Sequence, residues 1–215
     1  MSRAKKRKFS EIKKFSNVLE WDSNGFNEKV KEILNKYDSC IVELGCGKGE
    51  YSLFLGKEDP ATLFLGIDIQ GERVWKGAKE ALESNLKNVF FLRMQIENVL
   101  TTFPKKSINE IWITFPDPFP KDRDSKKRLT SPRFLSMYKE ILKEKGVIHL
   151  KTDSNQLYEY SKESAQESGF KILKAVTDIY KGCDNMNSEV VLVQTDFEKR
   201  YIEKSESIKY LKMTF

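Results

Sequence analysis

Three clusters in this 215-residue sequence combine residue types and spacings that carry chemistry. The first, Glu43-Leu44-Gly45-Cys46-Gly47-Lys48-Gly49, ends an apolar run with three alternate glycines. Glycines let backbone amides approach a ligand closely, and the N-terminus of a following helix favours a carboxylate or phosphate. The second is Asp68, which closes the next apolar run twenty-three residues after Gly45. A carboxylate there accepts hydrogen bonds from both hydroxyls of an unphosphorylated ribose. The third is Phe115-Pro116-Asp117-Pro118-Phe119-Pro120-Lys121. Its prolines stiffen the backbone and restrict the residues before them, which holds Asp117 in place between two rings able to stack on a base. The run from Lys121 to Arg128, with Arg133 soon after, adds a basic patch suited to phosphates.

From Ser39 onward, short apolar runs alternate with longer amphipathic stretches. Strands are predicted at Ser39 to Leu44, Thr62 to Ile67, Val89 to Arg93, Ile108 to Thr114, Val147 to Lys151, Phe170 to Ala175 and Ser188 to Gln194. Helical spacing marks the stretch from the glycines to about Lys57, then Gly71 to Ser84, Ile96 to Thr101, Phe134 to Lys145 with Gly146 as its C-cap, and Gln156 to Glu167. Strands separated by helices imply βαβ units and a mostly parallel sheet. From Phe170 to Gln194 two strand-like segments follow each other with no clear helix between, which implies an antiparallel hairpin at one edge. Ligands of such sheets sit outside the carboxyl ends of the strands, and the glycine loop, Asp68 and Asp117 all fall there. Residues 1–38 read as a basic N-terminal arm and leading helix. Residues 39–215 read as one domain, with no repeats and no linker.

Composition excludes several classes. The chain is 39% hydrophobic and 33% charged, as a globular sequence is, which rules out disorder and low-complexity architecture. The longest apolar runs, Val89–Leu92 and Val190–Val193, are four residues long, against the roughly 18 to 20 of a membrane span. A basic N-terminus without an apolar run behind it predicts no secretory leader. Cys40, Cys46 and Cys183 form neither a CxxC pair nor an even framework, and His149 is the only histidine. A reduced, cytoplasmic protein without structural metal is expected. Between Met1 and Lys14, seven basic residues face Glu11 alone, so this stretch carries the whole net charge of +6. A basic arm on a neutral body is a pattern of proteins that meet a polyanion, although solvated termini are often lysine-rich without a partner.

The ribose ligand is narrowed by the glycines. A dinucleotide fingerprint needs its third glycine where Glu50 stands. The loop with an acid before its first glycine instead resembles motif I of S-adenosylmethionine-dependent methyltransferases, with Asp68 as their motif II acid. Their Rossmann-like α/β fold has seven strands, mostly parallel, with an antiparallel edge hairpin. Pro116-Asp117-Pro118-Phe119-Pro120-Lys121 followed by Lys126-Lys127-Arg128 is similar to the signature of the bacterial tRNA (guanine-N7-)-methyltransferases. The likeness runs from about Ser39 to Arg200 and takes in His149-Leu150-Lys151-Thr152-Asp153 and Thr195-Asp196-Phe197-Glu198-Lys199-Arg200.

This resemblance implies methyl transfer from S-adenosyl-L-methionine to N7 of a guanine in the variable loop of tRNA, by a monomer or homodimer. It implies cofactor binding by Glu43, Gly45, Gly47, Asp68, Gln95 and Asp117, with Asp117 catalytic. Lys121, Asp153, Thr195, Asp196, Phe197 and Glu198 are implied to bind the guanine. Four residues depart from the family pattern: Phe119 for Trp, Asp124 for His, Asp196 for Lys, and Gln95 for Asp or Asn. Guanine N7 carries a lone pair and no proton, so alignment and stabilisation of the developing positive charge are what a protein supplies. Two other classes remain open. An exocyclic-amine methyltransferase usually has two adjacent prolines where Asp117 is interposed here. A non-catalytic RNA-binding protein on this fold would not need Asp68 and Asp117.

Overall fold

The computed structural model describes residues 3–181 and 188–215. Its first half runs α1 (Arg3–Ile12), β1 (Val18–Glu20), α2 (Phe26–Leu34), β2 (Cys40–Leu44), α3 (Glu50–Glu58), β3 (Leu63–Ile67), α4 (Gly71–Glu83) and β4 (Val89–Arg93). The second half continues α5 (Val99–Thr102), β5 (Ile108–Thr114), α6 (Pro132–Ile141), β6 (Leu142–Thr152), α7 (Asn155–Glu167), β7 (Lys171–Val176), α8 (Ser188–Leu192), α9 (Asp196–Glu203) and β8 (Lys209–Thr214). Cys183 lies outside the described residues. Cys40 and Cys46 are buried free thiols.

The strands form one sheet in the order β1-β4-β3-β2-β5-β6-β8-β7. All pairs are parallel except β6 with β8 and β8 with β7. β3 is buried along its whole length, as a near-continuous apolar run in a parallel sheet requires. Side chains of α2, α6 and α7 gather in one apolar cluster, and those of α1, α3, α4 and α8 in a second. β2 lies between β3 and β5, so the connections leaving β2 and β5 diverge and open a crevice at their carboxyl ends.

The fold class is the one expected, a Rossmann-like α/β sheet, with eight strands in place of seven. Three local expectations are corrected. The helix predicted to Lys145 stops at Ile141, and β6 begins at Leu142, which pairs with Ile108 across a register break. Lys145, at φ 62°, takes the left-handed turn assigned to Gly146. Ser188–Leu192 is a short helix and not a strand. The antiparallel edge exists, but its hairpin partner is β8, which the sequence reading missed along with β1.

Residues 3–38 share the sheet and core of the rest. β1 pairs with β4, and Ile12 at the end of α1 is buried. Trp75 on α4 donates its indole N–H to Glu11 at 2.9 Å, and Lys8 pairs with Glu72 at 2.7 Å. Lys13 and Lys14, just beyond α1, are exposed.

Candidate active site

The glycine loop leaves β2 with Gly45, Gly47 and Gly49 at φ 67°, 56° and 69°, left-handed values that other residues adopt only with strain. α4 packs against it so closely that a Cβ on Gly77 would lie 2.0 Å from the Lys48 carbonyl oxygen. At the end of β3, Asp68 accepts from the Gly47 amide at 2.8 Å and from the Gln70 amide at 2.7 Å. One bond to each oxygen fixes the carboxylate plane and leaves each oxygen further lone-pair capacity toward the adjoining cleft. Asp68 therefore also ties the glycine loop to β3, a role its spacing did not reveal.

Glu43, the acid before the first glycine, is buried. It accepts from the Ser52 amide at 3.0 Å and the Ser52 hydroxyl at 2.7 Å, with Thr114 Oγ1 at 3.5 Å. Burial pushes its carboxyl up to about 7, against the pull of the Ser52 bonds.

The loop after β5 is held by its carbonyls. Arg128, only 3% exposed, donates to the oxygens of Pro118 at 3.1 Å and Phe119 at 2.9 Å. Gln156 donates to Pro120 O at 2.9 Å, and the Phe115 amide to Lys151 O at 2.9 Å. Phe115 and Phe119 sit at φ 48° and 42°, a strained backbone of the kind that clusters at functional loops. Asp117, held between them, is exposed, and no described residue pairs with its carboxylate. Arg128 thus leaves the expected phosphate patch, being structural. Lys127 is paired with Asp124 at 2.7 Å.

Two clefts meet at this loop. The first, about 380 Å³, is walled by Gly45, Asp68, Gln95, Asp117 and Phe119, with Met94, Ile96, Leu129 and Phe134 as apolar lining. The second, about 300 Å³, is walled by Glu43, Gly45, Gly47, Asp117, Asp153, Thr195, Asp196 and Phe197. Gly45, Arg73, Phe115, Pro116 and Asp117 border both. Asp153 is steadied by Lys209, whose ammonium donates to its backbone oxygen at 2.8 Å.

α9 supplies the outer wall of the second cleft. Thr195 caps it, accepting from the Glu198 amide at 3.1 Å. Asp196 pairs with Lys48 of the glycine loop, which holds its carboxyl below the usual range, and its amide donates to Glu50 at 3.0 Å. The acid that departs from the family's lysine is therefore matched by a cation across the cleft.

Two expected site residues lie elsewhere. Lys121 is exposed, outside both walls, and opens a 3₁₀ turn over Asp122–Lys127. Glu198 is completely buried behind the second cleft, with Lys151 and Tyr180 on its carboxylate. Its role as a guanine ligand does not hold in this conformation. The sequence reading missed Arg73 and also Tyr201, whose ring stacks on Phe115 with centroids 6.0 Å apart. The signal for Tyr201 was its place four residues after Phe197, on the same helical face.

Known proteins resemble this chain in sequence and in fold. A family model described as "Putative methyltransferase" covers residues 37–211. The chain is 42% identical to the tRNA (guanine-N(7)-)-methyltransferase of Christiangramia forsetii, over 98% of this chain and 97% of that one. The enzyme of that name from Porphyromonas gingivalis is 45% identical, over 90% and 80%. Among solved structures, a 30S ribosomal A1408 methyltransferase from an uncultured bacterium superposes with a TM-score of 0.65 at 18% identity, covering 92% of this chain and 98% of that one, a likeness of fold. Identity of this extent along nearly the whole of both chains places the protein in the tRNA (guanine-N7-)-methyltransferase family.

Proposed function

We propose that the chain transfers a methyl group from S-adenosyl-L-methionine to N7 of a guanine in the variable loop of tRNA, acting in the cytoplasm. The observation that carries this reading is the meeting of two clefts at Asp117. The first cleft fits the nucleoside of the cofactor, while Glu43 and Gly47, expected to bind the cofactor, border only the second cleft. The volume of the first is in the range of small-ligand pockets, about 300 to 1,000 Å³, and its donor set suits a nucleoside. Asp68 faces it with capacity for ribose hydroxyls, Gln95 offers an amide to an adenine amine, and apolar side chains flank both. When bound there, S-adenosylmethionine supplies an electrophilic methyl group.

The second cleft suits guanine. The N1 and N2 edge of that base presents only donors, and the wall offers Asp117, Asp153 and Asp196. Acceptors along that edge fix the orientation of the base and oppose the positive charge that the ring acquires. N7 has no proton to lose, so none of these groups acts as a base. Holding the reactants in line can supply about 7 to 11 kcal/mol.

The decisive experiment is incubation of the protein with unmodified tRNA and labelled cofactor, followed by nucleoside analysis. Label in N7-methylguanosine supports the reading, and label in a methylated exocyclic amine, or none, refutes it. Two further outcomes are expected. Asp68→Ala should weaken cofactor binding by about 1.5 to 3 kcal/mol. Unchanged affinity by calorimetry would remove Asp68 from the ribose. Because α1 packs on α4, the basic arm is best tested by charge and not by deletion. Lys13→Ala with Lys14→Ala should lower the slope of log tRNA affinity against log salt by up to about 1.8, leaving cofactor affinity alone. An unchanged slope would show these lysines to be merely solvated.

A further inference from the structure

We propose that Arg73 binds the backbone phosphate of the target nucleotide at the rim where the two clefts meet. This rests on the tRNA reading above. A guanine enters the second cleft attached to a phosphodiester, and the wall that suits the base repels the phosphate: Glu43, Glu50, Asp117, Asp153 and Asp196 all border it. Two cations border it as well, Lys48 and Arg73. Lys48 is already engaged by Asp196. No described carboxylate pairs with Arg73, which stands exposed on the first turn of α4.

Its placement suits the task. Arg73 borders both clefts, and its stem runs over the glycine loop, where a Cβ on Gly47 would lie 3.9 Å from its Cδ. Its guanidinium lies 6.0 Å from the ring of Phe197, which is 46% exposed on the opposite wall. A guanidinium grips a phosphate through two parallel N–H bonds. Arg73 lies over the Phe197 ring, as Arg200 does at 5.7 Å, so this rim of the mouth presents cations to a phosphate. Arg73 is in this sense a positioning residue that fixes how deep the guanine sits relative to Asp117.

The test uses the full chain with Arg73→Ala and Arg73→Lys. For Arg73→Ala we expect KM for unmodified tRNA to rise about tenfold or more. The log–log salt slope of tRNA binding should shrink by about 0.7 to 0.9, the share of one phosphate. Calorimetric affinity for S-adenosylmethionine should stay within about twofold. Arg73→Lys should keep the slope and recover part of KM, since it keeps the charge and loses the fork. An unchanged slope for the alanine variant overturns the proposal. So does a loss of cofactor affinity with tRNA binding intact, which would assign Arg73 to the cofactor's carboxylate. Formation of N7-methylguanosine by the wild-type protein in the same assay tests the underlying reading separately, because it does not depend on Arg73.

Discussion

Asp117→Asn is expected to lower kcat at least about 100-fold, the size of effect seen when one preorganised electrostatic group is lost. The substitution keeps the volume but removes the charge, and it turns an NH₂ donor toward guanine's own donors. The loop should keep its shape. It is fixed by Arg128 and Gln156 through the carbonyls of Pro118, Phe119 and Pro120, none of which involves the Asp117 side chain. Thermal unfolding should therefore move little, and calorimetric cofactor affinity far less than kcat. Single-turnover methylation of tRNA by the folded variant is the measurement. A rate near wild type would make Asp117 a turn residue and remove the charge-stabilisation step.

Features that a local pattern dictates were legible in the sequence. Three alternate glycines after an apolar run specify a left-handed loop at a strand end, and the loop has that geometry at Gly45, Gly47 and Gly49. Asp68 and Asp117 were legible for a related reason, since the first directly follows β3 and the second sits in the proline loop that follows β5. What escaped depends on partners far along the chain. Arg128 reads as one more cation in a basic run, yet it is buried under the loop it pins, with its guanidinium 4.2 Å from the Tyr160 ring. A run of four apolar residues at Val190–Val193 suits a strand or a helix equally. It is helical through Leu192, where the Val190 carbonyl accepts from the Lys151 ammonium at 2.7 Å. β8 carries lysines at two of its six positions, Lys209 and Lys212, which hid a strand that lies between two others. The lysine in the apolar strand at Lys151 was a visible sign of a buried charge, as Glu43 was in β2, but its partner lay forty-seven residues away.

That partner carries the second large expectation. Lys151 and Glu198 are both 0% exposed and 2.7 Å apart, with Tyr180 donating to Glu198 at 2.6 Å. Burial pushes the Lys151 ammonium down to about 8, against the pull of Glu198, which holds it from falling further. Glu198→Gln leaves that ammonium buried without its counter-charge, at a cost of about 3 to 5 kcal/mol in unfolding free energy. The folded lysine then titrates still lower, while the unfolded one stays near 10.4. The folded variant sheds this proton at lower pH than the folded wild type, which keeps it up to about 8, so the variant's deficit should narrow as pH rises toward about 8 and change little above it. Replacing both partners, Lys151→Met with Glu198→Leu, removes the charges together and should recover most of the stability. The double variant also separates two roles. If Glu198 acts only by supporting α9, which carries Asp196 and Phe197 in the cleft wall, the stable double variant should bind and methylate tRNA with KM close to wild type. If it folds as well as wild type but methylates no tRNA, Glu198 must leave Lys151 to meet the guanine, and its buried position here is a resting one.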